Sequence, residues 1–162
     1  MTVPVARTAT PEDVFQMEEL MRDAFEASYA NFMPEQYVRE FYDANGARQT
    51  VHEGLSRAAV VEIANMVAGF AMYDENVLTE LWVAPMFQRK GAGRTLLEWM
   101  ENRFRRLGYN SYSLCCYAPN GKALEFYKKN GFTRTSESDS TEVPGGPVKV
   151  YTLSKKLDKP TG

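Results

Sequence analysis

The segment that most constrains the fold is a basic, glycine-containing run, Gln88-Arg89-Lys90-Gly91-Ala92-Gly93-Arg94. An apolar stretch from Val77 to Val83 precedes it, and an amphipathic stretch from Arg94 to Leu107 follows it. This order predicts a strand, a turn, a glycine-rich loop and a helix. The first amides of a helix have no partner within it and carry the positive end of its dipole. The segment therefore predicts a cradle for a phosphate or pyrophosphate group at the start of a helix.

Two common phosphate-binding motifs do not fit this segment. A Walker A loop needs Gly, four residues and then Gly-Lys-Ser/Thr, and that string is absent. A dinucleotide-binding fingerprint needs a third glycine where Leu96 stands, within a βαβ unit. Taken alone, the segment fits an ordinary turn before a surface helix equally well, so the downstream sequence has to distinguish the two.

The composition is that of one globular domain. Of the 162 residues, 44% are hydrophobic and 25% are charged, which is enough for a core of its own. We therefore predict a single domain over residues 1–162, with a flexible tail over 155–162. The formal net charge of −2 disfavours a broad nucleic-acid-binding face. No apolar run approaches the roughly 20 residues that span a bilayer, and Met1 to Thr10 lacks the core of a signal peptide, so we expect a cytoplasmic protein without a membrane partner.

Cysteine and histidine usage gives no sign of a disulfide or a metal centre. Cys115 and Cys116 are adjacent, and neighbouring cysteines rarely bond to each other, so both are expected to be packing residues in a strand of a protein from a reducing compartment. His52 is the single histidine, and no spacing typical of metal ligands occurs. No metal site is predicted.

Apolar periodicity and turn signals predict an alternation of helices and strands along the chain. Helices are expected after the cap at Thr10, after Pro34, and over Arg48–Ser56, Arg94–Leu107 and Pro119–Asn130. Strands are expected over Val3–Thr8, Ala58–Ala64, Val67–Tyr73, Val77–Val83, Ser111–Tyr117, Phe132–Thr135 and Val148–Leu153. The three strands from Ala58 to Val83 should form an antiparallel meander, and Ser111–Tyr117 should run parallel to Val77–Val83. The polar stretch Ser136–Gly146 is expected to be a long hairpin loop.

Aromatic residues are dense in the first helices, at Phe25, Tyr29, Phe32, Tyr37, Phe41 and Tyr42. Packing of two helices on a sheet accounts for most of them. The alternative is that some line a pocket for an acceptor molecule, because loops between such helices often carry binding residues.

Two sequence blocks, separated by a predicted strand, resemble the GNAT superfamily of acetyl-CoA-dependent N-acetyltransferases. The first is Leu81-Trp82-Val83-Ala84-Pro85 followed by Gln88-Arg89-Lys90-Gly91-Ala92-Gly93, which is similar to that family's Gln/Arg-x-x-Gly-x-Gly/Ala loop. The second is Asn120, Ala123, Phe126-Tyr127 and Asn130-Gly131-Phe132, which is similar to its Asn-x-x-Ala-x-x-Phe-Tyr-x-x-x-Gly-Phe helix. The resemblance implies an α/β (α+β) fold with a mixed, mostly antiparallel sheet of six or seven strands, flanked by helices and splayed at its centre.

The resemblance also implies a binding site for acetyl-CoA. The pyrophosphate would rest on backbone amides from Gln88 through Thr95, that is, Gln88, Arg89, Lys90, Gly91, Ala92, Gly93, Arg94 and Thr95. The pantetheine arm would pair with the backbone at Leu81, Trp82 and Val83 like an added strand, in the gap where the two central strands splay. A backbone amide near Val83 would polarise the thioester carbonyl. Asn120, Ala123 and Tyr127 fall at positions expected near the cofactor.

For catalysis, the resemblance implies an acid and a base. Tyr127 would protonate the departing thiolate; the alternative is a half-buried tyrosine that packs beside Phe126. Glu80 would accept the amine proton, directly or through water; the alternative is a solvent-facing strand carboxylate. Asp74 and Glu75 lie at a turn and His52 stands alone, so they are weaker candidates for the base.

The function that the resemblance implies is direct transfer of an acetyl group from acetyl-CoA to a primary amine of a small molecule or peptide, without a metal or a covalent enzyme intermediate. The alternatives are another acyl-CoA or a hydroxyl acceptor on the same fold, and a catalytically silent acyl-CoA-binding regulatory module. A homodimer is a further expectation. The N-terminal third matches the family only in layout, so the acceptor stays open.

Overall fold

The computed structural model describes residues 2–158 and contains one sheet of seven strands with the order β1-β2-β3-β4-β5-β7-β6. The strands are β1 Val5–Thr8, β2 Ala58–Ile63, β3 Met66–Asp74, β4 Val77–Val83, β5 Ser111–Tyr117, β6 Thr133–Ser140 and β7 Val148–Lys156. The helices are α1 Val14–Ala27, α2 Tyr29–Phe32, α3 Glu35–Asp43, α4 Gly46–Gly54, α5 Ala92–Arg106 and α6 Gly121–Lys129. Short 3₁₀ turns cover Pro11–Asp13, Leu55–Arg57 and Pro85–Phe87. Within residues 2–158, no helix has both the length and the apolar character to cross a membrane.

The strand directions confirm the predicted mixed sheet. β2, β3 and β4 form the predicted antiparallel meander, and β1 pairs antiparallel with β2. β5, β7 and β6 form a second antiparallel group. The two groups meet where β5 runs parallel to β4, because α5 carries the chain across the sheet between them. The parallel orientation of Ser111–Tyr117 is therefore confirmed.

The sheet is splayed at this junction. A single pair of residues, Val77 and Ser113, joins β4 to β5, and the Ser113 N–H donates to the Asn76 carbonyl at 3.1 Å. By contrast, β5 pairs with β7 along its whole length, from Ser111 to Tyr117. The carboxyl halves of β4 and β5 therefore separate, and the backbone edge of β4 is left without a neighbouring strand. This confirms the predicted splay.

The core lies around β2 and β3, whose residues are buried on both faces. α1 and α5 cover these two faces, since each presents one apolar stripe to the strands. On α5 the stripe consists of Leu96, Leu97, Met100 and Phe104, at the spacing predicted from the sequence. α5 therefore has a fixed position on the sheet, with its first residue next to the end of β4.

A partly buried ion pair links β7 to α5. The Lys155 Nζ lies 2.8 Å from the Glu101 Oε2, and the Tyr112 hydroxyl donates to the same oxygen at 2.7 Å. Glu101 is 8% exposed and Tyr112 is 1% exposed. The Glu101 carboxyl is buried whereas the Lys155 side chain is 25% exposed, so the loss of Lys155 would leave a buried carboxylate without its cation.

Several predicted boundaries were wrong near the C-terminus. Ser136–Ser140 belong to β6 rather than to the hairpin loop, because β6 is held to β7 by backbone pairing while its side chains are polar and exposed. Lys155 and Lys156 belong to β7 rather than to the predicted tail, because they pair with Tyr112 and Ser111 of β5. Residues 159–162 of that tail lie outside the described part. At the other end, β1 starts at Val5 rather than Val3.

Candidate functional site

The loop before α5 has the backbone geometry of a sharp entry into a helix. Gly91 precedes the first helical residue and has a φ of 86°, which side-chain-bearing residues rarely adopt. Arg89 is also left-handed, with a φ of 63°. The Thr95 N–H and hydroxyl both donate to the Gly91 carbonyl, at 3.0 and 2.8 Å. These contacts fix the direction in which the preceding amides point.

Six successive backbone N–H groups at the start of α5 have no hydrogen-bond acceptor among residues 2–158. From Arg89 to Arg94, no N–H group donates with hydrogen-bonding geometry to an acceptor among residues 2–158. The two ends of the predicted cradle differ, because the Gln88 N–H donates to the Pro85 carbonyl at 3.4 Å and the Thr95 N–H is used by Gly91. The amides free to bind an anion are therefore those of residues 89–94, where they add to the positive end of the α5 dipole.

The three basic side chains around the loop differ in their surroundings. The Arg94 Nε lies 3.3 Å from the Glu98 Oε1 on the exposed face of α5, and the Lys90 Nζ lies 5.7 Å from the centre of the Phe87 ring. Arg89 is exposed and forms no ion pair with any residue from 2 to 158. Arg89 is therefore the side chain with the fewest competing contacts for an incoming anion.

The two glycines of the loop have different roles. A Cβ on Gly91 would meet only Pro4 Cγ at 3.7 Å, so this glycine is required by its backbone angle rather than by space. A Cβ on Gly93 would lie 2.9 Å from the Phe126 Cζ of α6. Gly93 therefore allows α6 to approach α5 closely, which brings the residues of α6 next to the cradle.

The backbone of β4 presents free polar groups to the gap. The Ala84 N–H donates to the Ala68 carbonyl of β3 at 2.8 Å. Successive backbone groups of a strand point to opposite sides, so the N–H groups of Leu81 and Val83 point away from β3 and into the gap. An extended molecule lying there would find the pairing pattern of a strand edge, while the Trp82 backbone faces β3.

Glu80 lies on this strand, two residues from Trp82 and on the same face of the sheet. The Trp82 Nε1–H donates to the Glu80 Oε2 at 2.6 Å. Burial raises the pKa of Glu80 from its ordinary value of 4.5 to about 7, and the Trp82 hydrogen bond opposes part of that rise. The partly buried carboxyl is thus half-ionised near neutral pH, which is the range suited to a general base and differs from the alternative of a solvent-facing carboxylate.

The weaker candidates for the base lie elsewhere. Asp74 and Glu75 are exposed at the turn between β3 and β4. The His52 side chain is 55% exposed, and its Nε2 lies 3.9 Å from the Glu18 Oε1 on the helical layer. Neither arrangement provides the dry surroundings that shift the pKa of Glu80.

Tyr127 lies on α6, with its ring in edge contact with Phe126 and Phe132, each at 5.4 Å between centroids. It is 9% exposed. Burial raises the pKa of its hydroxyl, and the nearby Cys116 and Glu80 raise it further. The hydroxyl is therefore held protonated at neutral pH and is close enough to Glu80 to feel its charge.

Asn120 makes a structural contact that was not predicted from the sequence. Its Oδ1 accepts a hydrogen bond from the Ala123 N–H at 3.3 Å, which makes Asn120 the N-cap of α6. Ala123 itself is half-buried against the core. This cap orients the first turn of α6, on which the position of Tyr127 depends.

The two cysteines were predicted to pack alike and do not. Cys116 is buried, and this burial raises the pKa of its thiol to about 11. Cys115 is exposed, because successive residues of β5 face opposite sides of the sheet. The prediction was wrong for Cys115.

The sequence does not show which aromatic residues approach the site, and Tyr117 was not among the predicted candidates. Three tyrosines lie around Glu80, namely Tyr29, Tyr37 and Tyr117: burial raises the pKa of each, and the charge of Glu80 raises it further. Tyr29 also packs on Trp82 at 5.0 Å between ring centroids. The position of Tyr117 at the end of β5, beside the splay, was the one sequence signal that could have identified it.

Comparison with known proteins identifies the fold. Structures with the same fold include a GCN5-related N-acetyltransferase from Rhodopseudomonas palustris, with a TM-score of 0.79, 20% identity and coverage of 97% of this chain and 98% of that one. The PaiA N-acetyltransferase from Thermoplasma acidophilum in complex with coenzyme A has a TM-score of 0.76, 21% identity and coverage of 94% and 98%. YncA from Salmonella typhimurium with acetyl-CoA has a TM-score of 0.70, 19% identity and coverage of 98% and 96%. No curated protein matches the sequence.

The sequence itself provides the assignment to a family. At these identities the structural matches show a shared fold only. The family model for the GNAT acetyltransferases matches residues 15–132, which include the helical layer, the cradle, the splayed strands and α6. The chain therefore belongs to the GNAT family of acetyltransferases.

Proposed function

We propose that the protein is an N-acetyltransferase that moves an acetyl group directly from acetyl-CoA to a primary amine of a small molecule or peptide. The observation that carries this proposal is the run of free amides from Arg89 to Arg94, which ends beside a splayed pair of strands containing Glu80. Free amides at a helix start suit a diphosphate, and a carboxyl with a pKa of about 7 suits the deprotonation of an amine.

In this proposal, the residues around the gap hold both substrates. The amides of residues 89–94 bind the diphosphate of coenzyme A, and Arg89 adds its charge. The outward-facing backbone groups of Leu81 and Val83 pair with the pantetheine arm. Acetyl-CoA supplies an acetyl group activated as a thioester. Holding both reactants in one gap converts a bimolecular step into an effectively unimolecular one.

In the transfer step, Glu80 acts as the general base and Tyr127 as the general acid. The amine forms a bond to the acetyl carbon as its C–S bond breaks, and Glu80 takes the proton that the nitrogen loses. The Val83 N–H polarises the carbonyl oxygen during this step. Tyr127, held protonated by its burial, donates its proton to the departing thiolate. The products are an amide and a free thiol.

Binding and turnover can be measured separately. Thermal stabilisation by coenzyme A and acetyl-CoA, with NAD and ATP as comparisons, tests the cradle. Thiol release against a panel of amines tests the transfer. Stabilisation by coenzyme A without release for any amine would support the silent binding module instead, and no stabilisation would contradict the cradle.

Variants assign the roles. Tyr127→Phe and Glu80→Gln should lower turnover by about 10²-fold or more while leaving the affinity for coenzyme A nearly intact. Glu75→Gln, at an exposed turn, is the matched control and should retain full activity. Full activity in Tyr127→Phe would remove this tyrosine from the mechanism.

A further inference from the structure

We propose that the acceptor is a primary amine carried on an apolar or aromatic body, with neither a carboxylate beside the amine nor a second ammonium group. The acceptor pocket is formed by Glu80 and the rings of Tyr29, Tyr37, Trp82 and Tyr117, which we call the aromatic wall. This inference rests on the proposed function, since it concerns the second substrate of the same site.

The four rings of the aromatic wall are neighbours of one another. The Tyr29 ring lies 5.0 Å from Trp82 and 6.1 Å from Tyr117, and the Tyr37 ring lies 6.3 Å from Tyr117. The faces of such rings attract an ammonium group. Glu80 and the three tyrosines all remain partly exposed, so an incoming molecule can reach them.

Within residues 2–158, no lysine or arginine stacks on a ring of the aromatic wall. The charge contacts that affect Tyr29, Tyr37 and Tyr117 come from Glu80 and from neighbouring tyrosines and cysteines, and none comes from a lysine or arginine. The cation on α3, Arg39, is 61% exposed and lies 3.6 Å from Glu35. A ligand carboxylate would therefore be buried without a partner, which is costly. A second ammonium would have only Glu80 among the carboxylates that act on these three rings.

The far side of the aromatic wall is apolar. Met33, Val143 and Val148 form a separate buried cluster, and Tyr29 and Tyr37 contact both this cluster and the main core. The loop between β6 and β7 closes this side, since a Cβ on Gly145 would lie 3.0 Å from the Pro34 Cβ. An acceptor with its amine at Glu80 would therefore extend along the partly exposed rings, behind which this buried cluster lies, and this suits an apolar body.

Matched amines test the acceptor class. Phenethylamine and phenylalanine share a ring and an amine and differ in the carboxylate; hexylamine and diaminohexane differ in the second amine. We expect kcat/KM for phenethylamine to exceed that for phenylalanine at least about 100-fold, as for an uncompensated buried charge. We expect hexylamine to exceed diaminohexane about tenfold, since the second ammonium must be desolvated without a partner. Equal or reversed ratios, or a preference for spermidine, would overturn the inference.

A variant pair localises the effect. Tyr37→Leu should raise KM for phenethylamine about tenfold with kcat within about threefold, because it removes a ring face from the cation. Tyr42→Leu is the control, because Tyr42 is 44% exposed on α3 and lies outside the aromatic wall, and its kinetics should match the wild type. An unchanged KM in Tyr37→Leu would contradict the role of the wall.

A binding measurement separates this inference from the proposed function. The stabilisation of the coenzyme A complex by each amine is measured without turnover. Stabilisation by phenethylamine but not by phenylalanine, with no thiol release from acetyl-CoA, would support the acceptor class and contradict the transfer. Release with amino acids or polyamines alone would overturn only the acceptor class. Neither stabilisation nor release with any amine would contradict both.

Discussion

Glutamine at position 80 should make this protein more stable at pH 8 while it lowers the activity. The pKa of Glu80 is about 7 in the folded protein because burial disfavours its charged form, and its ordinary value is 4.5. Between these two values the unfolded chain has released the proton and the folded protein still holds it. The folded state therefore loses stability as the pH rises through this window.

The size of the stability change follows from the shift in the pKa of Glu80. Below pH 4.5 both states are protonated, and this group contributes no difference. Above pH 7 both are ionised, and the folded state bears the full cost of a desolvated carboxylate, about 3 kcal/mol at 1.36 kcal/mol per pKa unit. Glutamine keeps the shape, has no charge, and can accept the Trp82 hydrogen bond. The stability of Glu80→Gln relative to wild type should thus increase by about 2–3 kcal/mol from pH 4.5 to pH 8.

Urea unfolding of both proteins at pH 5 and pH 8 measures this change. At each pH we take the difference in unfolding free energy between Glu80→Gln and wild type, and we compare this difference at pH 8 with that at pH 5. Any effect of the substitution that does not depend on pH then cancels. The gain at pH 8 corresponds to a midpoint temperature higher by about 2–4 °C per kcal/mol. Glu75→Gln at an exposed turn should show no such pH dependence. A stability difference that is the same at both pH values would refute the buried-carboxyl reasoning.

Three further predictions test other contacts. Trp82→Phe removes the 2.6 Å hydrogen bond to Glu80, which lowers the pKa of that carboxyl. The acidic limb of the pH profile of kcat/KM should therefore move to a higher pH by about one unit. A limb that does not move would show that this hydrogen bond does not affect the pKa of the base. Gly93→Ala should lower the free energy of unfolding by about 1–3 kcal/mol, because its methyl group would overlap with Phe126. Adding Phe126→Leu should recover part of this loss. If the free-energy changes of the two substitutions simply add, the overlap is contradicted. Lys155→Met leaves Glu101 buried without its cation, so it should lower the free energy of unfolding in denaturant by about 2–4 kcal/mol. Lys155→Arg should restore most of that loss. A Met variant as stable as wild type would contradict the pairing.

Local patterns predicted the elements around the cradle closely. The apolar stripe and the glycines placed a helix over 94–107, and α5 covers Ala92–Arg106. Both signals depend on near neighbours in the chain, since helix faces and backbone angles are local properties. The predicted β6 was too short because its full length depends on pairing with another strand rather than on a local pattern. Its polar residues give no hydrophobic pattern, and only pairing with β7 makes Ser136–Ser140 a strand.

The candidate site was predicted in part. The loop residues and Tyr127 were predicted from two motifs, and Glu80 was predicted as the carboxyl on the strand before the loop. The hydrogen bond between Trp82 and Glu80 was not predicted. Their spacing of two residues on a strand puts both side chains on one face, and that signal was available. The capping contact of Asn120 was also readable, because asparagine is a preferred N-cap residue.

What the amino-acid sequence alone determined is the short-range part of the site: a glycine turn into a helix with free amides, and a strand leading to it. Tertiary structure decided the chemistry of the gap. Burial raises the pKa of Glu80 and the Trp82 hydrogen bond opposes part of that rise. The charge of Glu80 acts in turn on Tyr29, Tyr37 and Tyr117, which lie far away in the chain. Burial and charge act through space, so they are set only when distant segments pack together.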